Sequence, residues 1–169
     1  GGYDTAFAAL YGAAQVPAQR DRYIAAVEGF VATFGDEGDL LLFSAPGRTE
    51  IGGNHTDHNY GRVLAGSVNL DVIAVVRPAA GTIRMQSEGY PIIEVDITEL
   101  LPVEEEKNGS ASLIRGTAAR FADLDYAIGG FDAYATSNVL KGSGLSSSAA
   151  FEVLIGVVLS HLYNEGKVS

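Results

Sequence analysis

Two segments of this 169-residue chain are dense in residues able to hold an anion or a polyol. The first, Gly142-Ser143-Gly144-Leu145-Ser146-Ser147-Ser148-Ala149-Ala150, sets small residues and hydroxyls where a loop runs into a helix. Glycines let the backbone approach an anion, and amide N–H groups at a helix start carry partial positive charge, so the pattern suits phosphate. It is not a Walker A sequence, GxxxxGK[ST], and it lacks GxGxxG spacing; Lys141 precedes the glycines instead of following them. Any grip would come from backbone amides and from the hydroxyls of Ser143, Ser146, Ser147 and Ser148, with one serine oxygen open to Mg²⁺. An ordinary serine-capped helix accounts for the same residues equally well.

The second segment runs from Ala45 to Gly61 as Ala-Pro-Gly-Arg-Thr-Glu-Ile-Gly-Gly-Asn-His-Thr-Asp-His-Asn-Tyr-Gly. Arg48 follows Pro46-Gly47, and a guanidinium held there could pair with phosphate in a fork geometry. A salt bridge to Glu50 is the competing use of the same side chain. His55, Asp57 and His58 are metal-ligand types, yet so short a span of loop defines no coordination geometry. Asn54, His55, Thr56 and Asp57 instead combine donors and acceptors in a short arc, which fits a polyhydroxylated ligand such as a sugar.

These segments need elements to position them. Helices are expected over Asp4–Tyr11 and Pro17–Phe34, the second with Tyr23, Val27, Phe30, Val31 and Phe34 at helical spacing and a stop at Gly35. Leu40–Phe43 reads as a buried strand stopped by Pro46-Gly47, after which a long irregular segment reaches Gly61. Val63–Leu64 and Val68–Val76 read as two strands or one bent strand ending before Pro78, and Thr82–Gln86 with Ile92–Ile97 as a hairpin. Ser112–Phe121 is expected to be helical, Phe131–Thr136 a strand, and Ser146–Tyr163 a helix with Gly166 as terminator. Helices, a run of strands, then strand, glycine loop and helix indicate an α+β fold with a mixed β-sheet.

Composition narrows the function. The apolar share of 47% supports a buried core, and no stretch approaches the ~18 uninterrupted apolar residues of a membrane helix. The absence of cysteine excludes disulfides and thiolate sites and suits the cytoplasm. Eleven basic against twenty-one acidic residues give a net charge of −10, which opposes nucleic acid and anionic membranes as partners. The same field opposes ATP, so a phosphate site here needs local compensation from backbone dipoles, a basic side chain and a divalent metal. Asn54-His55-Thr56 and Asn108-Gly109-Ser110 match the glycosylation acceptor pattern by chance, since no secretory signal accompanies them. The start at Gly1-Gly2 and the stop at Ser169 directly after a helical segment read as cut ends, the glycines as cloning remnants.

Taken together, Pro46-Gly47-Arg48 through Asn59 and Gly142 through Ala150 resemble the two N-terminal motifs of galactokinases, in the GHMP kinase superfamily. That family carries a segment close to GRxNLIGEHTDYN followed by a GxGLSSSA loop, in the same order and at a similar interval. The resemblance implies a GHMP-kinase N-terminal domain over residues 3–166 and ATP-dependent phosphorylation of galactose to galactose 1-phosphate. By the same resemblance Arg48 stabilises charge on the transferred phosphoryl group, and Asn54, His55, Thr56 and Asp57 hold the sugar. Gly142, Ser143, Gly144, Leu145, Ser146, Ser147 and Ser148 wrap the ATP phosphates, Ser148 contributes to Mg²⁺, and Ser87 sits near the nucleotide.

The departures are specific. Where the family has Asn and Glu, this chain has Glu50 and Asn54; His58 stands for Tyr, and Leu140 for the proline before the loop. At Asn54 an acceptor-only carboxylate has become an amide that also donates, which bears on sugar preference and leaves a kinase for a related sugar open. A catalytically silent sugar and nucleotide sensor is the reading from another class, and its expected trace, damage to the phosphate loop, is missing because Ser146–Ala150 and Arg48 are intact. The family's catalytic aspartate and third glycine-rich motif lie downstream of the second motif, so residues 1–169 alone are expected to be inactive.

Overall fold

The computed structural model describes residues 2–53, 59–139 and 144–168. Helix α1 (Asp4–Tyr11) leads through a short 3-10 turn into α2 (Val16–Phe34), which ends at Gly35. Strands β1 (Leu41–Gly52), β2 (Leu64–Ala79), β3 (Thr82–Ser87) and β4 (Ile93–Asp96) follow, then α3 (Ser110–Asp123), β5 (Gly130–Ser137) and α4 (Ser147–Tyr163). The strands form one mixed sheet in the order β1-β2-β5-β3-β4, antiparallel throughout except for the β3–β5 pair. The expected α+β class with a mixed sheet is the fold found.

The central strands are covered on both faces, which is why β2 reads as an almost unbroken apolar run. Val72, Ala74 and Val76 join Phe43, Ala45, Ala133, Ala135 and the inner residues of α3 and α4 in one core. Ile73 and Val75 point the other way, into a second core with Phe7, Tyr23 and Phe30 of α1 and α2. Val31, inward by helical spacing, is exposed, and Ala26 takes a buried place on α2 instead. The three buried charges, Asp71, Arg115 and Asp132, are all paired as burial demands. Asp132 meets Arg84 at 2.7 Å and Arg77 at 3.0 Å, and Arg115 binds Glu106 at 2.7 Å, which holds the Glu106 carboxyl below its ordinary value.

Three strand expectations are corrected. β1 does not stop at Pro46-Gly47 but runs on to Gly52, replacing the first half of the expected irregular segment. It is an edge strand and its register against β2 slips between Pro46 and Arg48, a bulge that accommodates a residue without an N–H donor. Val63–Leu64 and Val68–Val76 belong to a single strand from Leu64, with Val63 just outside it. That strand continues through Pro78, because β1 begins opposite Val76 and Pro78 therefore pairs only with β5, through Phe131.

Candidate functional site

Strand directions bring the functional segments to one end of the sheet. β1 and β5 both run antiparallel to β2, and β3 runs parallel to β5, so the carboxyl ends of β1, β3 and β5 lie together. β5 ends at Ser137, and α4 begins at Ser147. The N-terminus of a 17-residue helix thus sits at the sheet end to which β1 delivers Arg48.

A backbone bond joins the two segments. The Arg48 N–H donates to the Leu145 carbonyl at 3.2 Å. Gly47 permits the approach, since a Cβ there would stand 3.1 Å from that same oxygen and 3.2 Å from a Val139 methyl. Of the loop residues, Gly142 and Ser143 fall outside the described residues together with Leu140 and Lys141. Gly144 and Ser146 both adopt positive φ, 76° and 56°, and the Ser146 side chain makes no capping bond. The first turn of α4 therefore lacks a side-chain cap on its amide donors, an arrangement able to receive anionic oxygens.

Beside this turn opens a cleft of about 630 Å³. Ser147 and Ser148 line one wall, Ser87 and Glu88 at the end of β3 another, and Asn108 to Ser110 at the start of α3 a third. The structure therefore brings Ser87 to the same cleft as the α4 serines, although sixty sequence positions separate Ser87 from Ser147. Glu88 accepts a bond from the Thr136 hydroxyl at 2.7 Å and donates its N–H to the Ala135 carbonyl. Asn108-Gly109-Ser110, read in the sequence as a chance acceptor pattern, carried no expected site role beyond its turn composition ahead of a helix.

Asn54, His55, Thr56, Asp57 and His58 lie outside the described residues, but the neck of their segment is described. Gly53, at φ 98°, abuts the other side of that neck so closely that a Cβ would fall 2.3 Å from the Arg62 carbonyl and 2.7 Å from the Val63 Cα. Gly53 and Arg62 thus lie against each other at the end of the β1–β2 hairpin, a few residues beyond Arg48.

Arg48 itself is paired with Glu50, Nη1 to Oε1 at 2.6 Å. The carboxylate is the more buried partner, with 15% of its side chain exposed against 38% for the arginine. A guanidinium has five N–H donors in a fixed fork, so one bond to Glu50 orients it and leaves capacity for a ligand oxygen. Among the described residues no cluster of three or more His, Asp or Glu side chains could hold a metal, and no helix is long and apolar enough to cross a membrane. Sequence reasoning also missed Asp71, buried at 2% exposure opposite Pro46, where an acid interrupting an apolar strand was the available signal.

Comparison with known proteins agrees with this geometry. A family model described as the galactokinase galactose-binding signature matches residues 28–78, and one for the GHMP kinases N terminal domain matches residues 112–168. Galactokinase of Lactococcus lactis subsp. lactis is 33% identical over 147 residues, covering 83% of this chain and 36% of that protein. Galactokinase of Clostridium tetani is 30% identical over 141 residues, covering 82% and 35%. The crystal structure of Lactococcus lactis galactokinase complexed with galactose superposes with a TM-score of 0.73 at 33% identity, over 83% of this chain and 37% of that one. Methanococcus jannaschii mevalonate kinase, at 16% identity and a TM-score of 0.60 over 79% of this chain and 43% of that one, shares the fold. The chain spans about a third of the length of the curated relatives it matches.

Proposed function

Because this chain belongs to the galactokinase branch of the GHMP kinases, we propose that residues 3–166 form the N-terminal domain of an enzyme that phosphorylates galactose at its anomeric hydroxyl with ATP. The observation that carries this reading is the Arg48 N–H to Leu145 carbonyl bond, which joins the strand bearing Arg48 to the residues just ahead of α4. In the reaction the sugar oxygen forms a bond to the γ-phosphorus, the bond to the β–γ bridging oxygen breaks, and ADP leaves. Such transfer rests on positioning and on neutralising charge over the phosphoryl oxygens.

Each group has a part in this reading. Asn54, His55, Thr56 and Asp57 bind the sugar hydroxyls. Gly142 to Ser148 and the first turn of α4 bind the ATP phosphates, Ser87 lies beside the nucleotide, and Arg48 bears on the γ-phosphoryl group. Mg²⁺ suits this donor set: it takes few protein oxygens and several from phosphate and water. The Ser148 hydroxyl would hold it, and the ion would supply charge neutralisation between phosphates. Among the described residues the carboxylate lining the cleft is Glu88, which accepts from the Thr136 hydroxyl. We place this reaction in the cytoplasm, where ATP is supplied, and the net charge of −10 opposes nucleic acid and anionic membranes as partners.

The test is ADP release by the full-length enzyme against galactose, an N-acetylated hexosamine and a pentose. Galactose-dependent turnover supports the reading. Preference for another sugar would reassign the substrate through Asn54 and His58, and binding of galactose and ATP without product would replace the kinase with a sensor.

A further inference from the structure

Asp71 is costly to bury and touches no part of the cleft. Its carboxylate lies on the α1–α2 side of the sheet, where an apolar side chain of similar volume would serve stability as well or better. What distinguishes it is the set of elements it joins. Oδ1 accepts from Arg22 Nη1 of α2 at 2.6 Å, while Oδ2 accepts from the Tyr11 hydroxyl of α1 and the Ser44 hydroxyl of β1, each at 2.5 Å. Its backbone carbonyl accepts from Arg22 Nη2 and from the Asn138 N–H, both at 3.0 Å. Burial and the bond to Asp71 push the Tyr11 phenol far above its ordinary value, so it remains a donor.

These bonds meet at one step of the sheet. Asp71 pairs with Pro46, immediately before the slip in register that sets Arg48. Asn138 opens the segment leading from β5 to α4, and Leu145 near its close accepts from the Arg48 N–H. Both ends of the phosphate segment are therefore fastened to the same β1–β2 step, one through Asp71 and the other through Arg48. We infer that Asp71 is a positioning residue for phosphoryl transfer: its carboxylate, by tying Arg22, Tyr11 and Ser44 together, fixes the strand step whose backbone carbonyl holds Asn138, and so the distance between Arg48 and the N-terminus of α4. The inference rests on the kinase reading for its kinetic consequence, and on bonds already described for its structural one.

The experiment uses the full-length enzyme with Asp71→Asn and Ser44→Ala, and Asp132→Asn as control. Asp132 is an equally buried carboxylate with two arginine partners, but it is bonded to neither β1 nor the phosphate segment. At a temperature where circular dichroism shows each variant folded, Asp71→Asn and Ser44→Ala should lower kcat about 10–100-fold, with the KM for sugar changed less than about 3-fold. Amide exchange in peptides covering Arg48 and Asn138 should quicken in both, while Asp132→Asn leaves kcat and those amides near wild type. Asp71→Asn and Ser44→Ala behaving like Asp132→Asn would overturn the inference, and Ser44→Ala decides alone if Asp71→Asn does not fold. If the wild type makes no sugar phosphate, the kinase reading falls and amide exchange alone decides the positioning role.

Discussion

Replacing Gly53 with alanine tests the proposed sugar-binding role of Asn54 to Asp57 through the backbone contact that precedes them. The added Cβ would meet the Arg62 carbonyl at 2.3 Å, and bringing that contact to an ordinary 3.4 Å moves one side of the neck by 1.1 Å. Both obstacles are backbone, so no side-chain rotation relieves them. A misplacement of ~1 Å in a substrate-positioning segment costs about 100-fold in rate, equivalent to about 2.7 kcal/mol. The positive φ of Gly53 adds about 1–3 kcal/mol of strain for any L side chain held in that conformation. Steady-state ADP release by the full-length enzyme, with sugar varied at saturating ATP, should show kcat/KM for galactose down about 100-fold, while the KM for ATP moves little. Gly52→Ala is the matched control, since nothing stands within 4 Å of its Cβ position and no positive φ is involved. Wild-type kcat/KM for Gly53→Ala in a folded protein, or equal losses for both variants, would refute the argument that the Gly53 contact places the sugar residues.

Three further outcomes follow from the same geometry. Arg48→Ala should lower kcat about 10²–10³-fold, as removal of a transition-state charge partner does, with a small change in melting temperature because its pair with Glu50 is partly exposed; an equal kcat loss in Glu50→Ala would mark the pair as structural. Glu106 has its folded pKa lowered by Arg115, so its stabilisation is present above the ordinary glutamate value of 4.5 and is lost as pH falls through the lowered folded value. Urea unfolding of the wild type should weaken across that acidic window, and Glu106→Gln should remove that part of the slope. Residues 1–169 alone should release no ADP in response to galactose, measured against the full-length enzyme at equal concentration.

Much of the fold was readable because local patterns carried it. The helical spacing of Leu154, Ile155, Val158 and Leu159 marks one face of α4, and all four are buried. Pairing partners were not readable in the same way. Pro46 and Pro78 look like strand breakers, yet both sit within strands because of what lies beside them, an edge with a bulge in one case and a missing neighbour in the other. A proline's effect depends on which side of its strand needs a donor, and only the assembled sheet decides that.

The site divides along the same line. Residue types and order were enough to mark Arg48, Asn54 to Asp57 and Gly142 to Ser148 as groups suited to a sugar and to phosphate, since donors, acceptors and glycines announce their chemistry locally. The antiparallel pairing of β1 and β5 with β2 is what put Arg48 against Leu145, and the parallel β3–β5 pair is what carried Ser87 to the α4 serines. Asp71 drew no attention as one acid in an apolar strand, and its role as a junction became visible with Arg22, Tyr11, Ser44 and Asn138 gathered around it. Chemistry belongs to single residues and their near neighbours, whereas distance between segments is set by long-range pairing, which no local pattern encodes.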